Sequence, residues 1–309
     1  MERQRLVLAM IDRTTNGDHD TPAWHRRLAH GNARRLQPRG PDEHGHDERE
    51  HQLLAWQRRF LAVERARVAD EAARAPVDPD DFLRWFSELR DHGPGQGDPL
   101  FPWLADHASL AEMRWFLTQE AAGEAGFDDL VALTQVKLPT RAKLEMARNY
   151  WDEMGRGQAE GMHGGLLDHL VQVLALPVAI DTTVWPALAL GNLMVALATE
   201  RDHAYHSIGA LGVIELTAPG RVAQVAAGLR RLGLGPRERR YFDLHAVLDR
   251  KHSQHWNTEV IAPLVARDPR VASWIAEGAL MRLAAGARCF ACYRALLAIR
   301  APADSAAGR

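Results

Sequence analysis

Helical periodicity constrains the fold of this chain more than any other feature of its sequence. Beyond residue 98, Ala, Leu, Arg and Glu recur at spacings of three and four, and strand-like alternation of Val and Ile is rare. Pro or Gly interrupts this pattern where helices should stop, as in "LPT" (138–140), "APGR" (218–221) and "GLGPR" (233–237). The sequence therefore predicts an all-α fold, most simply a helical bundle. The predicted helices span approximately residues 52–73, 80–91, 108–123, 126–135, 140–175, 181–202, 204–216, 220–232, 236–267 and 270–300.

The N-terminal third differs from the rest in composition. Residues 13–51, including His44, His46 and His51, are rich in Arg, His, Asp, Gly and Pro, which predicts a largely mobile or peripheral segment. The segment "DHGPGQGDP" (91–99) predicts a loop. The expected organisation is an N-terminal extension (1–97) that is partly mobile and partly helical, a main domain (98–302) and a tail (303–309).

Charge and cysteine content narrow the classes of partner. With 38 basic and 40 acidic residues the net charge is −2, which favours neither nucleic acid nor an anionic membrane, so we expect a small-molecule substrate. The sequence has no signal-peptide pattern at its start and no apolar run of about 18 residues. The only cysteines, Cys289 and Cys292, form either a redox dithiol or two core-facing thiols in a reducing cytoplasm. These features predict a cytoplasmic protein.

One predicted helix carries a group of metal-binding side chains. In "HAVLDRKHSQHW" (245–256), steps of four and three place His245, Asp249 and His252 within roughly 60° of each other around the helix axis. Three such side chains can converge on one point. The chain has 15 histidines, so a polar helix face is the alternative interpretation. His169, His203 and His206 are interpreted as surface or capping residues.

Other predicted helices offer matching ligands. Glu215 is the only charged residue in the apolar segment "LGVIELTAPG", and a carboxylate there must be paired, protonated or bound to a cation. Glu153, Glu160 and His163 follow each other at steps of seven and three, which predicts one face of a single helix. Glu120 lies on a helix further upstream. The glycines that would allow another backbone or a substrate to approach this region are Gly155, Gly157, Gly161, Gly164 and Gly165.

Carboxylate and imidazole ligands together favour iron or manganese over structural zinc, which prefers thiolates. Seven such side chains are enough for two ions that keep open positions for dioxygen and a substrate. A ferritin-like bundle needs Glu-x-x-His twice, and "EGMH" (160–163) and "ERDH" (200–203) fit that motif. No Glu between residues 163 and 200 supplies the additional ligand, so this arrangement is disfavoured.

Over about residues 98–300, the chain resembles the iron-containing redox enzymes with the haem-oxygenase-like fold, which are also called haem-oxygenase-like diiron oxidases. The resemblance lies in three segments and their order: "WDEMGRGQAEGMH", "GALGVIELTAPGRV" and "GLRRLGLGPRERRYFDLHAVLDRKHSQHW". The resemblance implies a haem-oxygenase-like helical bundle with two Fe(2+) ions per chain. It leaves Glu160 as an alternative to Glu153 and Glu124 as an alternative to Glu120, and His255 would support the ligands. The implied ligands are Glu120, His163 and His252 for one iron, and Glu153, Glu215, His245 and Asp249 for the other.

The resemblance implies that the enzyme activates O2, its cosubstrate, through a peroxo-diferric intermediate. Family members N-oxygenate amines, cleave C–C bonds or desaturate amino acids and fatty acids, so we expect a small amine, amino-acid-derived or fatty-acid-like substrate.

The alternatives are a cofactor-independent acid–base enzyme like the oxidase of pyrroloquinoline quinone synthesis, and a non-catalytic iron-binding protein. Haem degradation requires one axial histidine rather than this cluster. Such a bundle could form a homodimer.

Overall fold

A computed structural model describes residues 21–38, 40 and 48–299 of the chain. These ranges form α-helices joined by short turns and contain no strand, which confirms the expected all-α fold. The first helices are α1 (Pro22–Leu36), α2 (Glu48–Ala72), α3 (Pro79–His92) and α4 (Leu100–Asp106). The middle helices are α5 (Leu110–Gly123), α6 (Phe127–Thr134), α7 (Thr140–Glu153), α8 (His163–Val173) and α9 (Trp185–Thr199). The last helices are α10 (Ala204–Arg231), α11 (Arg240–His255), α12 (Ala262–Arg267) and α13 (Val271–Leu297).

Helices α10 and α13 cross at the centre of the bundle with their backbones in contact. A Cβ atom on Gly209 would overlap the carbonyl oxygen of Ile275, and one on Gly278 would overlap that of His206. Only glycine allows helices to approach so closely. Helix α11 packs along α10 and continues through a π-helical turn, Trp256–Ile261, into α12. This arrangement brings the middle of α10 beside α11.

The helix predicted over 140–175 is two helices. Helix α7 ends at Glu153, and a tight turn over 154–162 leads back into α8, which begins at His163. Gly155 has φ +61 and Gly157 has φ +83, in the left-handed region that glycine adopts without steric cost and that commonly ends a helix. Glu153 and His163 therefore lie on different helices, and the expectation that they share one helix face is wrong.

The break predicted at 218–221 is absent, because α10 continues through Pro219. Proline has no N–H, so the carbonyl group of Glu215 loses its usual helical partner four residues later. Leu216 and Thr217 are buried on this stretch of α10, as is Pro219 itself. Packing on several sides therefore maintains the helix where the isolated sequence indicates an end.

The described part of the first 97 residues belongs to the main hydrophobic core. Leu28 of α1 and Phe60 of α2 are in one buried cluster with Leu193 of α9 and Ile275 of α13. Helix α1 was not expected within 13–51, because its sequence is polar apart from a few buried positions. His44 and His46 lie outside the described residues, and the domain boundary at residue 97 stays a prediction. No helix in the described ranges has the length and apolarity needed to cross a membrane.

Candidate metal centre

Six of the seven side chains predicted as metal ligands form two clusters. Within each cluster, one ligand atom from each residue lies within 4.8 Å of the others. The first cluster comes from the end of α7, the start of α8 and the middle of α11, whereas the second comes from α10 and the following turns of α11. The first cluster consists of Glu153, His163 and His245, and the second of Glu215, Asp249 and His252.

The first cluster is tightly packed. The Nδ1 atom of His163 lies 2.7 Å from Oε2 of Glu153 and 3.0 Å from Nε2 of His245. On its other side, Nδ1 of His245 lies 2.7 Å from the carbonyl oxygen of Tyr241, one turn earlier in α11. Donation of Nδ1–H to this carbonyl leaves the Nε2 lone pair of His245 directed at the cluster.

The second cluster is supported by two residues of α7. The amide Nδ2 of Asn149 donates to Oε1 of Glu215 at 2.6 Å, and Nε2 of His252 lies 3.1 Å from Oδ2 of Asp152. The other imidazole nitrogen of His252, Nδ1, lies 3.6 Å from Oε2 of Glu215. If Nε2–H donates to Asp152, the free lone pair of His252 is on Nδ1, inside the cluster.

Asn149 and Asp152 were not among the residues predicted from the sequence. Both precede Glu153 in "NYWDE", on the last turn of α7. Two polar side chains on the same turn as a predicted ligand were a usable signal. Their partners on α10 and α11 follow from helix packing, which the local sequence does not specify.

Burial and neighbouring charges shift the pKa values of four cluster residues, namely Glu215, His245, Asp249 and His252. Burial raises the pKa of Asp249 well above its usual range, and neighbouring Glu215 adds to the effect. Burial also raises the pKa of Glu215. Burial lowers the pKa of His245 to about 4. Burial would likewise lower the pKa of His252, but the Glu215 and Asp152 carboxylates outweigh it and raise the value to about 9.

The donor set and its unpaired atoms fit bound iron. Among the described residues, the buried Oδ1 of Asp249 has no hydrogen-bond partner, and the buried Nδ1 of His252 has only Oε2 of Glu215 nearby, at 3.6 Å, too far for a hydrogen bond. Leaving such atoms unpaired costs free energy that a bound cation would offset. Each cluster combines carboxylate and imidazole without thiolate, which suits iron.

Both clusters border the same cavity of about 130 Å³. Glu153 and His245 reach it from the first cluster, and Glu215 and Asp249 from the second. The wall also carries polar groups that belong to neither cluster: Glu120, Glu124, Tyr241, Arg282 and Tyr293. The apolar part of the wall includes Phe127, Leu130, Ala187, Leu190, Met194, Ile214 and Val222.

The structure groups the candidate ligands differently from the division that the resemblance implies. His163 lies with Glu153 and His245, because the tight turn after α7 returns the chain directly to Glu153. Glu120 is in neither cluster, although it lines the cavity, and burial raises its pKa. Glu124 likewise lines the cavity outside both clusters, and burial raises its pKa too.

Other candidate residues lie away from the clusters. Glu160 is exposed on the turn after α7, and His255 lies 3.4 Å from a carboxylate oxygen of Glu145. His206 is buried and its Nε2 lies 2.8 Å from Glu277, so the interpretation as a surface residue is wrong.

Both cysteines are buried free thiols, and burial raises the pKa of Cys292 to about 12, which disfavours a reactive dithiol.

A comparison with protein families supplies the decisive match. The family described as iron-containing redox enzymes matches residues 114–287, a range that contains both clusters and Glu120. This chain belongs to the iron-containing redox enzymes. Membership confirms the suspected family and supports an iron-dependent redox function, and the two possible ligand clusters lie within the matched range. No curated protein matches the chain.

Proposed function

We propose that this iron-containing redox enzyme is a dioxygen-dependent non-haem diiron oxidase that acts on a small organic substrate. The observation that carries the proposal is the pair of carboxylate and imidazole clusters on the wall of one cavity. Glu153, His163 and His245 would hold one ion, and Glu215, Asp249 and His252 the other. Bound ferrous ions would supply electrons for the reduction of dioxygen. Three protein ligands for each ion leave positions for exogenous molecules.

The surrounding residues prepare these ligands for binding. The carbonyl oxygen of Tyr241 fixes the ring of His245, and Asp152 fixes the ring of His252. Asn149 donates to one oxygen of Glu215, which leaves the other oxygen free for an ion. Such supporting hydrogen bonds orient ligands and raise metal affinity. The apolar side chains of the cavity would exclude bulk water from the substrate.

An anaerobic titration with Fe(II) tests the proposal. We expect about two irons per wild-type chain and about one in His252→Ala, because this substitution removes a ligand from the second cluster only. His107→Ala, which changes an exposed histidine outside both clusters, is the matched control and should bind as the wild type does. Well under one iron per wild-type chain, or unchanged binding in His252→Ala, would exclude a diiron centre at these residues.

Reaction with oxygen tests the redox step separately. The ferrous protein is mixed with oxygenated buffer in a stopped-flow instrument across a panel of amines, amino acids and fatty acids. Oxygen consumption that depends on iron and is accelerated by one class of compound would support the oxidase. Turnover that survives exhaustive chelation would instead support the cofactor-independent acid–base enzyme, and iron binding without oxygen consumption would support the non-catalytic protein.

A further inference from the structure

Arg282 of α13 contributes a cationic group to the wall of the cavity. Its Nε atom is buried and has no hydrogen-bond partner, and its guanidinium forms no ion pair within the described ranges. Other arginines beside the same core are paired: Arg288 with Glu64, and Arg65 with Glu277. An enclosed guanidinium without a partner carries a desolvation cost that only an anion or several acceptors would offset.

The nearest charged groups do not neutralise Arg282 by direct contact. Glu120 and Glu124 line the same cavity and attract the guanidinium electrostatically, but neither forms an ion pair with it in the described part of the chain. Arg221 is a second cation in this region. It has its own partners, because it donates to Oγ1 of Thr217 at 3.1 Å and lies over the ring of Phe290 at 5.6 Å. The surroundings of Arg282 therefore lack a contacting anion and contain an additional positive charge.

We propose that Arg282 binds the carboxylate of the substrate inside this cavity, so that the substrate is a short aliphatic carboxylic acid. The guanidinium presents a planar array of N–H donors that matches a carboxylate with two parallel hydrogen bonds. Leu190, Met194 and Ile214 offer an apolar surface to the aliphatic chain. The clusters border the same space, so a molecule held by Arg282 lies within the chamber where oxidation would occur. This inference rests on the proposed oxidase function.

Binding measurements on the anaerobic Fe(II)-loaded protein test the role of Arg282. The probes are hexanoate and hexanamide, which differ in charge and hardly in shape, and titration calorimetry gives their affinities. We expect the wild type to prefer hexanoate by about tenfold or more, as a charge-assisted hydrogen-bonded pair implies. Arg282→Gln should abolish this preference and Arg282→Lys should retain part of it. Arg270→Gln, at the exposed start of α13, should behave as the wild type does.

A third probe distinguishes an amino acid from a fatty acid as the molecule that carries the carboxylate. Norleucine has the same chain length as hexanoate and adds an α-ammonium group. Binding of norleucine that is tighter than that of hexanoate, and still dependent on Arg282, would support an amino acid. Tighter binding of hexanoate would support a fatty acid. Both results support recognition of a carboxylate by Arg282.

Three results would overturn the inference: equal affinity for hexanoate and hexanamide, no hexanoate binding at millimolar concentration, or unchanged hexanoate affinity in Arg282→Gln. The last result would mean that the carboxylate binds elsewhere, for example to iron. Iron is counted on every sample, and the titrations are repeated on iron-free protein. Absence of iron binding would refute the diiron proposal, whereas the charge preference of the iron-free chain would still test Arg282. Melting curves establish that each variant is folded.

Discussion

Glu153 and Glu160 carry the same functional group seven positions apart, but they lie in different surroundings. Glu153 is buried within hydrogen-bonding distance of His163, whereas Glu160 is exposed on the turn that follows α7. A carboxylate in water gains little from binding a cation, because its hydration already stabilises the charge. The buried carboxylate has lost that hydration, and an ion offsets the loss.

We therefore expect Glu153→Gln to weaken iron binding at the first cluster by at least the roughly 10–100-fold that loss of a supporting residue costs, because the amide is neutral and cannot replace a charged ligand. Glu160→Gln is the matched control, since it makes the same chemical change on an exposed side chain. Equilibrium dialysis with Fe(II) under anaerobic conditions measures both. Equal affinities in the two variants would contradict the assignment of Glu153.

Individual residues of the clusters could be predicted where their own helix or segment identified them. His245, Asp249 and His252 share one helix, and Glu215 is the only charge in an apolar segment. The grouping of ligands into two clusters could not be predicted, because it depends on how α7, α8 and α10 pack around α11. The polar partners Asn149 and Asp152 depend on the same packing.

At the scale of elements, the turn over 154–162 decides whether the first cluster exists. Gly155 adopts φ +61, and a Cβ atom there would overlap the backbone of Gly161 on the returning arm of the turn. A side chain at this position would separate the two arms, and with them Glu153 and His163. The turn therefore couples a backbone conformation to the positions of two candidate ligands.

Gly155→Ala should destabilise the fold by about 1–3 kcal/mol and weaken iron binding, because alanine adopts this φ only at a cost and its Cβ atom would overlap the backbone of Gly161. Gly164→Ala is a suitable comparison, since a Cβ atom on Gly164 would meet no atom within 4 Å. It should change the free energy of unfolding by less than about 1 kcal/mol. Urea denaturation and iron titration of both variants provide the measurement. Wild-type iron affinity in Gly155→Ala would refute the coupling.

The short turn Arg201–His203 before α10 gives the fold a pH dependence. Burial lowers the pKa of His203 to about 4, and nearby His206 adds to the effect. The unfolded chain, where this histidine titrates near 6.5, binds more protons between these two values. The contribution of His203 to stability is therefore complete above about pH 6.5 and is lost as the pH falls towards 4.

We expect His203→Gln to show a shallower decline of the free energy of unfolding between pH 6.5 and 4 than the wild type does, because glutamine does not titrate. Urea denaturation at a series of pH values measures the slope. His107→Gln, which changes an exposed histidine, should keep the wild-type slope. Parallel curves for His203→Gln and the wild type would show that His203 does not titrate as its burial implies.

At the scale of the whole molecule, the hydrophobic core extends beyond the matched family region. Phe60 of α2 is 1% exposed and its ring lies 5.1 Å from that of His25, well before residue 114. The all-α class and most helices after residue 98 could be predicted from periodicity. Helix α1 could not, because its few apolar positions are stabilised by contacts with distant helices and not by its own pattern.

Phe60→Ala should cost about 3–5 kcal/mol, as expected for removal of a fully buried aromatic ring. Because Phe60 shares its core with α9 and α13, the variant should unfold in one transition at a lower urea concentration. Leu36→Ala, at a position 43% exposed, is the control and should have little effect. A separate early transition for the N-terminal helices would favour an independent extension.

The π-helical turn Trp256–Ile261 makes the chain length between α11 and α12 critical. Such a turn holds one residue more than an α-helical turn, and the indole of Trp256 anchors it by donating to the carbonyl oxygen of Ile208 at 3.1 Å. Deletion of one residue here would restore a regular helix and rotate α11 by roughly 100° relative to α12. His245, Asp249 and His252 would turn away together. In an alignment of relatives, a one-residue gap at this point would therefore mark the loss of both carboxylate and imidazole clusters in a single evolutionary event.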